Sequence, residues 1–187
     1  MARQFWMQTV FFCSDHPCRA YRLGNGILLE VIMRQLSTLS LVERSAQNRF
    51  SQARSEVYFE GNPSDIVVQG KELEAAFRVD DDRYLIFTTD DVLFEESLII
   101  TLISRESGII EIARPGGEYA SGIFENAFSE DDSVHFQFIN KVIWTVKIST
   151  APHWRVPFLS DPRGVKRSCG LKTCMTFSTV PVSESVK

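Results

Sequence analysis

With 187 residues, 44% of them hydrophobic and 24% charged, the chain is long enough to bury a core and too apolar to be disordered throughout. Its formal net charge of -4 conceals a segregation: residues 1–55 carry a net +4, residues 56–132 a net -14 and residues 133–187 a net +6. A middle segment this acidic repels phosphate backbones and attracts basic surfaces, so nucleic acid is not an expected partner and a basic protein is.

The four cysteines, Cys13, Cys18, Cys169 and Cys174, are too few for a disulfide scaffold. The apolar run from Phe5 to Phe12 is short, holds Gln8 and Thr9, and precedes no small-residue cleavage site. No run approaches the roughly 18 apolar residues of a membrane helix. The expectation is a soluble, cytoplasmic protein with no membrane partner.

Residues 1–26 show no sustained period and are punctuated by Pro17, Gly24, Asn25 and Gly26. From Ile27 to Val42, Leu28, Val31, Ile32, Leu36, Leu39 and Val42 recur at steps of three and four, which predicts one face of a helix. Ser37, Thr38 and Ser40 work against it by competing for backbone hydrogen bonds. Ala46, Phe50 and Ala53 extend the same period through Ser45 to Ser55. Residues 1–55 thus read as an irregular and helical accessory segment, and Met33 as an alternative start.

From Glu56 the pattern is that of strands. Val57 to Phe59 and Ile66 to Val68 are short ones, bounded by Gly61, Asn62, Pro63 and Gly70. Leu73, Ala75, Phe77 and Val79 alternate with polar neighbours, and Asp80, Asp81 and Asp82 turn the chain back, which predicts a hairpin. The runs Tyr84 to Thr88 and Leu98 to Ile103 are apolar at both parities, the mark of central strands covered on both faces. Ile109 to Ala113 follows the turn at Arg105 to Gly108.

Val134, Phe136 and Phe138 face Val142, Trp144, Val146 and Ile148 across an Asn140-Lys141 turn, a second hairpin. Pro152 and Pro157 break the pattern, Ser160 to Gly170 reads as a long basic loop, and Thr173 to Thr179 as a last strand. The fold class is therefore mainly β: an antiparallel β-sandwich or open barrel of sequential hairpins over residues 56–180, with the N-terminal helical accessory segment and a frayed tail at 181–187.

Between the two doubly apolar runs, Asp90, Asp91, Glu95 and Glu96 bracket Val92, Leu93 and Phe94. Grouped carboxylates suit a hard cation, an acid and base pair, or an electrostatic face. A calcium cage needs about six to eight oxygens and usually a glycine, and glycosidase chemistry needs carboxyls held across a sugar. Neither pattern fits. An apolar centre ringed by charge instead resembles the core and rim of an interface, which makes Asp90, Asp91, Leu93, Phe94, Glu95 and Glu96 the candidate partner-binding residues.

Other constellations are weaker. Cys13 with Cys18 and Cys169 with Cys174 form two C-x4-C pairs; zinc sites favour two intervening residues, so no metal or other cofactor is expected. His16, His135 and His153 accompany no nucleophile motif, and the glycines form no phosphate cradle. His153, Trp154, Arg155, Arg163, Lys166, Arg167 and Lys172 give the C-terminal part a basic, partly aromatic character that suits pairing with the acidic middle of the chain. The leading expectation is a non-catalytic interaction domain whose acidic loops, Asp80 to Asp82, Asp90 to Glu96 and Glu130 to Asp132, bind a basic partner, as an inhibitor or immunity-type protein would. The alternative is a small-molecule binder or hydrolytic enzyme with a cavity in the β domain, His135 and Trp144 near its mouth.

Overall fold

The computed structural model describes residues 12–13, 16–23, 26–31, 33–44, 52–90, 97–116, 122–139, 142–156, 159–167 and 170–181, with side chains from Met33 onward. The chain divides into two compact units, Met1–Ile32 and Met33–Lys187. The first holds three antiparallel strands, β1 (Phe12–Cys13), β2 (His16–Leu23) and β3 (Gly26–Val31), in that order.

The second unit opens with β4 (Arg34–Gln35), β5 (Leu39–Arg44), β6 (Arg54–Phe59), β7 (Asn62–Gln69), β8 (Glu72–Arg78) and β9 (Arg83–Thr89). It continues through β10 (Ile99–Ser104), β11 (Gly108–Arg114), β12 (Glu125–Glu130), β13 (Ser133–Gln137), β14 (Val142–Trp154), β15 (Lys166–Arg167) and β16 (Lys172–Pro181). These form a six-stranded sheet ordered β15-β11-β10-β9-β8-β4, a four-stranded sheet ordered β12-β13-β14-β16 and a three-stranded sheet ordered β5-β6-β7. Every recorded strand pair is antiparallel.

The doubly apolar runs lie at the centre. In β9, Leu85 and Phe87 point to one face and Tyr84 and Ile86 to the other; β10 pairs with it so that Ile100 meets Phe87 and Thr101 meets Ile86. On the first face Phe77, Leu85, Phe87, Ile100 and Leu102 pack with Val134, Phe136, Trp144, Val146, Met175 and Phe177 of the four-stranded sheet. On the second, Ala76, Tyr84, Ile86 and Ile103 pack with Leu39, Val57, Phe59, Ile66 and Val68 of the three-stranded sheet. The six-stranded sheet is therefore covered on both sides, as strands apolar at both parities require.

The two expected hairpins form, β8 with β9 and β13 with β14, the latter in the register Val134 to Val146 and Phe136 to Trp144. A bulge between Leu73 and Ala75 turns Leu73 towards the second core, so the alternation does not keep it with Ala75 and Phe77.

The helical expectation over 27–42 is corrected by the structure, which has strands at Gly26–Val31, Arg34–Gln35 and Leu39–Arg44 and no helix among the described residues. The period of three and four was incidental: Leu39 and Leu41 also alternate as a strand does, and Leu39, paired with Phe59 of β6, is buried in the second core. Residues 45–51, where the period was expected to continue, lie outside the described residues. Met33 sits in the first core and Leu39 in the second, so the β unit reaches back to Met33 instead of beginning at Glu56. Pro152 does not end β14, which runs to Trp154; it falls in an irregular stretch between Ile148 and His153, where a missing N–H removes no ladder bond. Among the described residues no helix is long and apolar enough to cross a membrane.

Burial on both faces has a measurable consequence. Phe87→Ala should destabilise by about 3–5 kcal/mol and Ile86→Ala by about 2–5 kcal/mol in urea unfolding. An Ile86→Ala change within about 0.5 kcal/mol of wild type, the range of a surface site, would contradict the second core.

Candidate functional site

Strand β9 carries acidic segments at both of its ends. Its seven residues span about 20 Å, so Asp80 to Asp82 and Asp90 cannot belong to one face. Asp90 therefore does not share a surface with the Asp80 to Asp82 turn.

At the Asp90 end, the carboxylate is turned inward. Asp90 Oδ2 accepts from Gln52 Nε2 at 3.2 Å and from Ser97 Oγ at 3.3 Å, while Oδ1 is buried with no hydrogen-bond partner among the described residues. Arg114 Nη2 donates to Gln52 Oε1 and to Gln69 Oε1, tying β11 to the chain around β7. Gly70 completes this end: its φ of +106° excludes most side chains, and a Cβ would meet Thr88 Cβ at 2.6 Å. Asp91, Leu93, Phe94, Glu95 and Glu96, the rest of the expected partner-binding set, lie outside the described residues.

The opposite end gathers four turns. Met33 N donates to Asp131 O, and the next residue, Arg34, pairs with Arg78, whose guanidinium reaches Asp81 at 2.9 Å. Arg105 N and Glu106 N donate to Asp82, bringing in the β10–β11 turn. Phe59, just before Glu60, packs on Tyr84 with ring centroids 4.8 Å apart and lies under the Arg105 guanidinium. Glu60, Asp80, Asp81, Asp82, Glu106, Glu130, Asp131 and Asp132 thus share one end of the unit. Against these eight carboxylates stand Arg34, Arg78, Arg83, Arg105 and Lys147, leaving an acidic excess among the described residues.

The carboxylates there do different work. Asp80 is structural: its oxygens accept from Asp82 N at 3.0 Å, Arg83 N at 2.7 Å and Arg83 Nε at 2.6 Å. Burial pushes its carboxyl upward, but those hydrogen bonds and the Arg83 charge prevail and hold it below its ordinary value. Asp132 is likewise raised by burial and lowered further by Lys147 and Ser133, while the Asp132 hydrogen bond raises Lys147. Glu60, Asp81, Glu106, Glu130 and Asp131 are exposed.

A second constellation lies between the acidic middle and the basic C-terminal part, where the expected pairing of the two forms between Glu111 and Arg167. Arg167, with its side chain 2% exposed, uses all five N–H donors: Nε and Nη2 on Asp161, Nη1 on Glu111 and Thr173, and Nη2 again on Met175 O. Glu111 Oε2 accepts from Cys174 N at 2.9 Å, and Arg155 Nη2 donates to Gly170 O at 2.7 Å. Burial, with the Glu111 charge, pushes the Cys174 thiol upward, which makes it a poor nucleophile. The charge pattern announced the pairing of basic with acidic residues but not its members, apart from Asp161, the single acid between Ser149 and Lys172.

The remaining candidates do not converge. His135 and Trp144 point to opposite faces of the four-stranded sheet: His135 bonds Thr145 and stacks on Phe128, whereas Trp144 is buried and donates to Phe138 O. Among the described residues no group of three or more His, Cys, Asp or Glu could hold a metal ion. Cys13, Cys18 and Cys169 have no described side chains. Comparisons with protein-family models, with curated proteins and with solved structures found no match.

Because the Asp80 carboxyl is depressed on folding, its contribution is complete above the unfolded pKa of about 3.9 and is lost as pH falls through the lower folded value. Asp80→Asn should cost about 1–3 kcal/mol at pH 7, with the gap to wild type narrowing below about pH 4. Equal destabilisation of the variant at pH 7 and pH 2.5 in urea melts would contradict this role.

Proposed function

We propose that the chain is a non-catalytic protein-interaction domain that uses an acidic surface to bind a basic partner, in the manner of an inhibitor or immunity-type protein. The observation that carries this reading is the gathering of four turns with exposed Glu60, Asp81, Glu106, Glu130 and Asp131 at one end of the unit. Carboxylates gathered at one end speed encounter with a basic surface and select against acidic ones. Asp80 and Asp82 accept from backbone N–H groups and shape the turns, while Glu60, Asp81, Glu106, Glu130 and Asp131 are exposed around them.

The packing between the sheets favours this over a ligand-binding cavity. Phe87 touches Phe77, Phe124 and Phe136 with ring centroids 5.2–5.7 Å apart, and Phe136 stacks on Trp144. Aromatic rings in such contact fill the space a small molecule would need. A cytoplasmic setting belongs to the same proposal and agrees with a free, buried Cys174.

The segment from Asp90 to Glu96 is the second face on which the partner is proposed to dock, through Asp90, Asp91, Leu93, Phe94, Glu95 and Glu96. Charge reversal separates the two. In affinity capture from the native cell, Glu106→Lys with Glu130→Lys should reduce recovery of a basic protein by about tenfold or more, the scale of losing paired charges at an interface. If Asp90→Lys with Glu95→Lys reduces it instead, the partner docks at the other end. Capture unchanged by both pairs would overturn the proposal.

A further inference from the structure

The network around Arg167 fixes a basic, apolar arm whose surface is unusual for a free monomer. Trp154 is 73%, Val156 57%, Leu159 82% and Leu171 55% exposed. They are neighbours: Trp154 pairs with Lys172, Arg155 N donates to Leu171 O, and the N–H groups of Leu159 and Ser160 both donate to Val156 O. Trp154, Val156 and Leu159, large, apolar and exposed within six residues of sequence, mark a contact surface.

The charge on this arm has one sign. From Ser149 to Lys172 the chain has five cations and one acid, Asp161, and that acid is enclosed between Arg155 and Arg167. Arg163 and Lys172 face outward, the latter with its ammonium 5.5 Å from the centre of the Trp154 ring. A partner for this surface must be acidic around an apolar centre.

The acidic turns lie beside it on the same unit. Ser149, where the arm begins, accepts from Arg83 Nη1 at 2.8 Å, and Arg83 in turn holds Asp80; its predecessor Ile148 donates to Asp132 O. A positive apolar surface abutting a negative one becomes its own complement after a two-fold rotation, since each arm then meets the turns of the other copy.

We propose that the basic partner of the acidic turns is a second copy of this chain, bound as a two-fold dimer through the Trp154 to Leu171 arm. This rests on the reading of the acidic end as an interaction face. The dimer buries Trp154 and Leu159 at its centre and sets Arg163 and Lys172 against Glu106 and Glu130.

Sedimentation of the full chain tests it. Wild type should sediment as a dimer at micromolar concentration in low salt, with the dissociation constant weakening by about tenfold or more in half-molar salt. Trp154→Ser with Leu159→Ser should be monomeric with an unchanged circular dichroism spectrum. Glu106→Lys with Glu130→Lys, and separately Arg163→Glu with Lys172→Glu, should each be monomeric, while an equimolar mixture of the two should recover the dimer. Recovery in the mixture excludes misfolding as the cause of dissociation. A wild type that stays monomeric at all concentrations, or a mixture that stays monomeric, overturns the second-copy proposal. If wild type is monomeric yet Glu106→Lys with Glu130→Lys abolishes capture of a different basic protein, only the identity of the partner is wrong. If that capture too is unaffected, the acidic end is no interaction face.

Discussion

The β9–β10 pair is apolar on both faces, and such a pair is stable only with a layer on each side. Leu85, Phe87, Ile100 and Leu102 require the four-stranded sheet; Tyr84, Ile86 and Ile103 require the three-stranded one. This demand for two covers explains why the second unit has two hydrophobic cores and why its charges are distributed as they are. With no solvent-facing side, β9 and β10 themselves carry no carboxylate, and the acids next to them in sequence fall at their ends.

Displacement to the ends separates the acids into groups with different fates. Asp80 and Asp82 accept from backbone N–H groups and shape the turns, Asp90 is drawn inward by Gln52 and Ser97, and Glu60, Asp81, Glu106, Glu130 and Asp131 stay exposed at the turns. Two acids on strands turn inward instead: Glu56, buried on β6 and paired with Arg44, and Glu111, on the side of β11 that faces the first core. A buried carboxylate stabilises only when it is fully paired, and Arg167, Thr173 and the Cys174 N–H supply that pairing for Glu111. The same network ties Arg155, Asp161 and Arg167 together beneath the exposed Trp154 and Leu159.

The parity of apolar residues was a sound guide where strands are long and fully buried: β8, β9, β10, β13 and the first half of β14 follow from it. It failed where pairing partners are distant in sequence. Leu36, Leu39 and Val42 fit a helical period, yet β5 is held by β6 through contacts such as Leu39 with Phe59, which local spacing does not reveal. The bulge at Leu73 and the continuation of β14 past Pro152 likewise depend on tertiary pairing. The acidic segments were legible in the sequence, but the placement of Asp80 to Asp82 and of Asp90 at opposite ends of β9 is a matter of topology. The Arg167 cluster joins Glu111 to Asp161 and Thr173 across some sixty residues of chain, and no motif announces it.

The central claim is that β9 and β10 form the doubly covered heart of the unit, from which the placement of every charged turn follows. Native-state hydrogen exchange tests it most directly. The amides of Tyr84 to Thr88 and Ile99 to Ile103 should exchange only through global unfolding, with free energies equal to that from urea denaturation, while those of Asp81, Glu106 and Asp131 exchange through local opening. Exchange of the β9 and β10 amides through an opening that leaves the other strands protected would contradict the account.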